Sequence, residues 1–309
     1  MKKFLALAFA SILAALCIGL PITARGLAPA STAATTSTVL LTTDVNWEQL
    51  NPARGDQSPQ AGTLWGDRTG PGPAGFLLKP VDGFRSPPHI HNVAYRGVVI
   101  DGTLHNDDPT AEDMFMPVGS FWTQPAGGVH ITAALGDDAL AYIEVEDYFG
   151  VQPADQAFAS DEQPVNVDAS NIVWLDASNT SWIESSGLAN DAEGPEIAFL
   201  WGNFQGTPSD SPLNGTLVKL PAGFSGVIRN EGSEIRAVVI QGQPQHQILG
   251  KGTAKTAVKN AINTLEPGSY FSSMGPSMHQ ISSAADTESV FYVRTDGRFQ
   301  VTPASASLR

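Results

Sequence analysis

His89 and His91 stand two residues apart in the stretch Gly83-Phe-Arg-Ser-Pro-Pro-His-Ile-His-Asn-Val-Ala-Tyr95. In an extended strand both imidazoles project from one face, and Tyr95, of the same parity, joins them if the strand runs on undistorted. Two neutral imidazoles on one face form a ready chelate for a transition metal. A His-x-His pair on a surface also arises by accident, so the pair needs a third element. Gly119-Ser-Phe-Trp-Thr-Gln-Pro-Ala-Gly-Gly-Val-His130 supplies one, placing another His after a Pro-x-Gly turn. Three nitrogen ligands with no thiolate suit Fe(II), Mn(II), Ni(II), Cu(II) or Zn(II), and leave positions open for substrate, water or O2.

Strands must position these groups. Short β-branched and aromatic runs, such as 97–100, 140–145, 216–220, 236–240 and 290–294, are separated by Gly, Pro, Asp and Asn. Runs this short with turns this frequent predict an all-β fold of antiparallel sandwich or barrel type. Residues 254–265 are the helical exception, with Ala257, Val258, Ala261, Ile262 and Leu265 at three- and four-residue intervals.

The chain also repeats itself. Leu64-Trp-Gly-Asp67 returns as Leu200-Trp-Gly-Asn203, Gly83-Phe84 as Gly223-Phe224, and Arg96-x-Val-Val-Ile-x-Gly102 as Arg236-x-Val-Val-Ile-x-Gly242. The last two pairs share a spacing of 140 residues, and Gly119-Ser-Phe returns 149 residues on as Gly268-Ser-Tyr270. A duplicated domain with an insertion within 243–267 accounts for both spacings.

At these motifs the sequence resembles the cupin superfamily. Gly83, His89, His91 and Gly102 fit its first motif, with Tyr95 where Glu is usual. Gly119, Pro125, Gly127 and His130 fit its second, with Ala134 in place of Asn. The resemblance implies two tandem cupin-type antiparallel jelly-roll barrels, a bicupin. It also implies one divalent transition metal per chain, on His89, His91 and His130. Cupin dioxygenases with three His and no carboxylate make Fe(II) the favoured ion. Without Glu the site carries a formal charge of +2 rather than +1, which suits an anionic chelating substrate. Tyr95 is the candidate catalytic residue, as a ligand, as a hydrogen-bond donor, or as an acid or base if the cation lowers its pKa; packing of the barrel wall competes with all three. The implied activity is O2-dependent oxidation or cleavage of a small chelating molecule. A metal-dependent lyase or isomerase, or a non-catalytic metal- or ligand-binding protein, would use the same ligands.

The second half serves as a control. Spacing puts Arg229, Glu231 and Ile235 where His89, His91 and Tyr95 stand, leaving His279 to match His130. A permanent guanidinium opposes a bound cation, so the expectation is an Arg229–Glu231 pair in a vacated site. His105 reads as a solvated strand residue, and Trp65, Trp122, Trp174 and Trp201 read as structural aromatics.

The remaining features bound the class. Lys2 and Lys3 precede an uncharged apolar run, residues 4–20, and small residues, which predicts a signal peptide over 1–28 and a secreted or periplasmic protein. The only Cys, Cys17, lies in that run, so disulfides and thiolate sites are excluded from the mature chain. A flexible tether is expected over 29–38, then cupin domains over 39–160 and 161–309. A net charge of −14 argues against nucleic acid as a partner. No stretch beyond the signal is apolar enough to span a membrane. The expected partner is a small molecule, with a homodimer left open.

Overall fold

The computed structural model describes residues 36–185, 193–202, 204, 213–249 and 261–304. In chain order the strands of the first half are β1 (Thr36–Leu40), β2 (Trp47–Gln49), β3 (Gln60–Trp65), β4 (Ala74–Lys79), β5 (His89–His91), β6 (Tyr95–Asp107), β7 (Phe121–Gln124), β8 (Ile131–Val145) and β9 (Val151–Pro153). Next come β10 (Val165–Val167), β11 (Glu196–Gly202), β12 (Asn214–Leu220), β13 (Ser225–Asn230), β14 (Glu234–Gln241) and β15 (Gln245–Leu249). The last five are β16 (Asn263–Thr264), β17 (Tyr270–Met274), β18 (Ser277–Ser282), β19 (Ser289–Thr295) and β20 (Phe299–Pro303).

One barrel combines the sheet β10-β7-β6-β8-β4-β3-β2 with the pair β5-β9. The other combines β1-β17-β14-β19-β12-β11 with β16-β15-β18-β13-β20. The ladders are antiparallel, and the fold is the expected pair of tandem jelly rolls.

The repeated Arg-x-Val-Val-Ile-x-Gly segment lies on β6 and β14. Val98 and Ile100 meet Val238 and Ile240 in a shared apolar layer between the barrels. Val99 points into the first barrel and Val239 into the second. A strand buried on both faces needs a continuous apolar run rather than alternation, which is why three apolar residues stand side by side. At the closing glycine, Gly102 (φ 64), β6 turns over. A Cβ there would lie 2.7 Å from the Leu135 carbonyl oxygen. Residues up to Asp101 pair with 140–145 of β8, and residues from Thr103 pair with 131–135, so one strand serves both walls of the barrel.

The shared layer has a polar centre. Trp65 Nε1 donates to Tyr142 (3.0 Å) and Trp201 Nε1 to Tyr292 (2.9 Å). Both phenols donate to Glu144, which lies 3.2 Å from Arg294 Nε. Glu144 is 1% exposed and Arg294 3%. Burial pushes the Glu144 carboxyl up, opposed by Arg294 and Arg96. Burial would lower Arg294, but Glu144, Glu146 and Glu234 hold its pKa above the ordinary value. Arg96 lies over the Trp201 ring at 3.9 Å, and Arg236 lies over Trp65 at 4.2 Å.

Three expectations change. Residues 36–38 of the expected tether belong to β1, which pairs with β17 of the second barrel. Likewise β10, beyond the boundary expected at 160, pairs with β7 of the first. Each barrel thus completes a sheet edge with the strand that leads into the other. Of the expected helix, 254–260 lies outside the described residues, and 261–265 is not helical, Asn263–Thr264 forming β16. The expected signal segment also lies outside the described residues. No helix among them is long and apolar enough to cross a membrane.

Arg294→Met takes from buried Glu144 its closest cation and is expected to lower the unfolding free energy by about 3–5 kcal/mol. Arg85→Met breaks only the exposed Arg85–Asp113 bridge and is expected to leave the urea midpoint nearly unchanged. Urea denaturation followed by Trp fluorescence checks both.

Candidate metal centre

Pro87 and Pro88 shape the strand that carries the first two histidines. The bridges Arg85–Ala133 and His89–His130 flank them. Between these bridges one strand advances four residues and its partner three, so the Pro-Pro segment contains one extra residue. Proline cannot donate to the ladder, and such a bulge re-aims the side chains beyond it. His89 and His91 then turn inward beside His130, which stands just before β8.

One ring nitrogen from each of His89, His91 and His130 lies within 4.8 Å of the other two. His91 is 4% exposed and His130 1%, while His89 is more open. Each ring is oriented through Nδ1. His89 Nδ1 donates to the Pro87 carbonyl (2.9 Å), His91 Nδ1 to Gly150 (2.9 Å) and His130 Nδ1 to Gly128 (3.0 Å). A carbonyl only accepts, so the proton sits on Nδ1 and each Nε2 keeps its lone pair, as in rings held for a metal. His91 also stacks on Phe149 with centroids 4.0 Å apart. Burial holds all three imidazoles neutral, with His130 at about 3 and His91 well below the usual range; neighbouring imidazoles add to both shifts. Three neutral, oriented nitrogens fit a divalent transition ion without prior loss of a proton.

Tyr95 sits edge-on to His91, with centroids 5.2 Å apart, and its hydroxyl lies 3.3 Å from His130 Nε2. The hydroxyl donates to Asn106 Oδ1 (2.7 Å). Asn106 is held by Thr132 (2.9 Å) and Gln124 (3.0 Å), and Gln124 reaches the Gly128 carbonyl (3.1 Å). Burial pushes the Tyr95 phenol up, so in the metal-free protein it is held protonated. Asn106, Gln124 and Thr132 were not legible as site residues. Asn106 has the wrong parity relative to Tyr95, and only the turnover at Gly102 brings it inward. Trp122 is a buried core aromatic, as expected, and one side of it borders the cavity. His105 is 1% exposed rather than solvated, and its Nδ1 accepts from the Met114 backbone N–H (3.1 Å).

The second barrel differs from the expected arrangement. His279 pairs with Ile228, as His130 pairs with His89. The counterparts of His89 and His91 are therefore Ile228 and Asn230, not Arg229 and Glu231. The extra residue at Pro87-Pro88 shifts the correspondence by one, and a one-residue shift exchanges the faces of a strand. Arg229 and Glu231 are exposed, and no ion pair joins them among the described residues. Ile235 is buried. Both nitrogens of His279 are engaged, Nδ1 with His246 Nε2 (3.0 Å) and Nε2 with Ser273 Oγ (3.1 Å).

A cavity of about 570 Å³ is lined by His89 and His91 of the three-His group, together with Tyr95, Asn106 and Trp122. Among known proteins, the family model described as "Domain of unknown function (DUF4437)" matches residues 38–302. No curated protein matches the sequence. Similar solved structures include a Nostoc punctiforme protein provisionally named a dioxygenase, with TM-score 0.59, 14% identity, and 85% of this chain and 83% of that one covered. Vicilin from hazelnut, Corylus avellana, gives TM-score 0.54 at 9% identity, covering 86% and 87%. A variant of oxalate decarboxylase from Bacillus subtilis gives 0.50 at 11%, covering 89% and 79%. These likenesses support the cupin-type fold.

Elemental analysis is expected to find about one transition-metal ion per chain, lost when His91→Ala and His130→Ala are combined. Arg229→His with Glu231→His is expected to add no second ion, because those side chains face solvent. The metal-free protein should also lose stability as the pH falls from about 6.5 toward 3. Unfolded imidazoles take up protons there that folded His91 and His130 refuse. Urea titrations at about pH 7 and 5.5 should show a loss that shrinks in the His91→Asn, His130→Asn double variant.

Proposed function

The chain belongs to the DUF4437 family, and we propose that it is a metal-dependent enzyme carrying out O2-dependent oxidation or cleavage of a small chelating organic molecule in its first barrel. His89, His91 and His130 would hold the ion, with Fe(II) favoured. The observation that carries the reading is the set of three inward Nε2 lone pairs, each fixed by an Nδ1 bond to a backbone carbonyl. When bound, such an ion supplies Lewis acidity, open positions for a bidentate substrate and, for Fe(II), electron transfer with O2.

The chain's own residues supply a shaped surround. Phe76, Phe149, Ile143 and Trp122 line the cavity and give it apolar walls. Tyr95, locked by Asn106, presents its hydroxyl beside His130 and would orient a bound polar group. The cavity lining contains no Asp, Glu or Lys. Export rests on the sequence alone, as does a single ion per chain.

Anaerobic loading with Fe(II), followed by O2 uptake against diketones, hydroxylated aromatics and thiols, tests the reading. Uptake with one class, abolished by His91→Ala, is expected. Tyr95→Phe should keep the metal and lower kcat about 10-fold or more. A stoichiometric ion without turnover on any class would instead favour a binding protein.

A further inference from the structure

The chain carries 31 acidic and 17 basic residues, yet the lining of the first-barrel cavity reverses that balance, with Arg54 and Arg68 and no carboxylate. The two arginines differ. Arg68 is held by Glu48 at 2.9 Å and is largely covered. Arg54 is exposed and rests over the Phe84 ring at 5.3 Å, with no acidic partner among the described residues. Its turn is firmly built. Asn51 Oδ1 accepts from the Ala53 N–H, Arg54 N donates to the Asn51 carbonyl, and Gln49 Nε2 donates to the Gly55 carbonyl. A guanidinium fork on a fixed turn, left without a carboxylate in an acidic protein, is suited to bidentate capture of one from outside.

Leu50, Leu78, Phe76, Phe84, Ile143 and Phe149 line the same cavity as Arg54, His89 and His91. A volume of about 570 Å³ is suited to a molecule with a sizeable apolar body rather than a two-carbon acid. We infer that the substrate is an elongated organic carboxylate. Its chelating group lies at His89, His91 and His130, its apolar body runs along the aromatic walls, and its carboxylate is held at the mouth by Arg54, with Arg68 adding positive potential. This rests on the function proposed above for the three-His group and specifies the class of molecule that group would receive.

Calorimetric binding of phenylbutanoate and of the neutral phenylbutanamide to metal-free protein tests the assignment, because the acid then has no ion to ligate. The acid is expected to bind at least about 10-fold more tightly than the amide. Arg54→Gln should reduce that ratio to about one while leaving amide affinity and metal content unchanged, and Arg54→Lys should restore part of it. Equal binding of acid and amide, an acid preference that survives Arg54→Gln, or no binding of either up to about 1 mM would each overturn it. Metal content is read separately. A protein that prefers the acid but takes up no ion would refute the three-His function and leave the carboxylate site standing.

Discussion

The apolar layer between the two wide sheets is the constraint from which the rest of the architecture follows. It buries one face of β6, β8, β14 and β19, so these strands must be apolar on both sides and need another means of fixing their register. Glu144 and Arg294 provide it. A charge removed from water is tolerated only where every neighbour answers it. Here two phenols, each held by an indole, converge on the carboxylate, while Arg294 also reaches Glu146 and Glu234. Gly75 and Gly215 leave room for this arrangement, since a Cβ on either would lie about 2 Å from the facing Trp nitrogen. With the wide sheets fixed back to back, the opposite wall of the first barrel carries the three-His group.

The three-His group depends on backbone carbonyls as much as on side chains. Pro87, Gly150 and Gly128 lie on three different segments, yet each offers an oxygen to one imidazole. The ligand geometry is therefore encoded in the path of the chain. In the second barrel the corresponding space is closed by hydrogen bonds running from His246 through His279 and Ser273 to Ser37 on β1. The same scaffold thus supports an open set of nitrogens in one half and a self-satisfied polar chain in the other.

Much of this was legible in the sequence, because motif spacing and hydrophobic runs are local quantities. The duplication, the all-β fold and the grouping of His89, His91 and His130 all follow from residues at fixed separations. What escaped was set by pairing between distant strands. Arg229 and Glu231 were misplaced because a single extra residue at Pro87-Pro88 is invisible in a spacing measured across whole motifs, yet it reverses a strand's faces. Asn106 was missed because β6 changes walls at Gly102, so parity counted from Tyr95 ceases to apply. The exchange of β1 and β10 left no mark in their compositions, since an edge strand looks alike whichever sheet it joins.

Glu144 and Arg294 occupy corresponding positions in the two copies, on β8 and β19 beside Arg96 and Arg236. An assembly of two identical chains about a two-fold axis would bring each residue there against its own duplicate, carboxylate to carboxylate or guanidinium to guanidinium. Two copies that have diverged in sequence let the axis carry opposite signs, and covalent linkage keeps each such copy with its complement. Tandem fusion here therefore does more than tether two lobes: it preserves an attraction that symmetry would forbid.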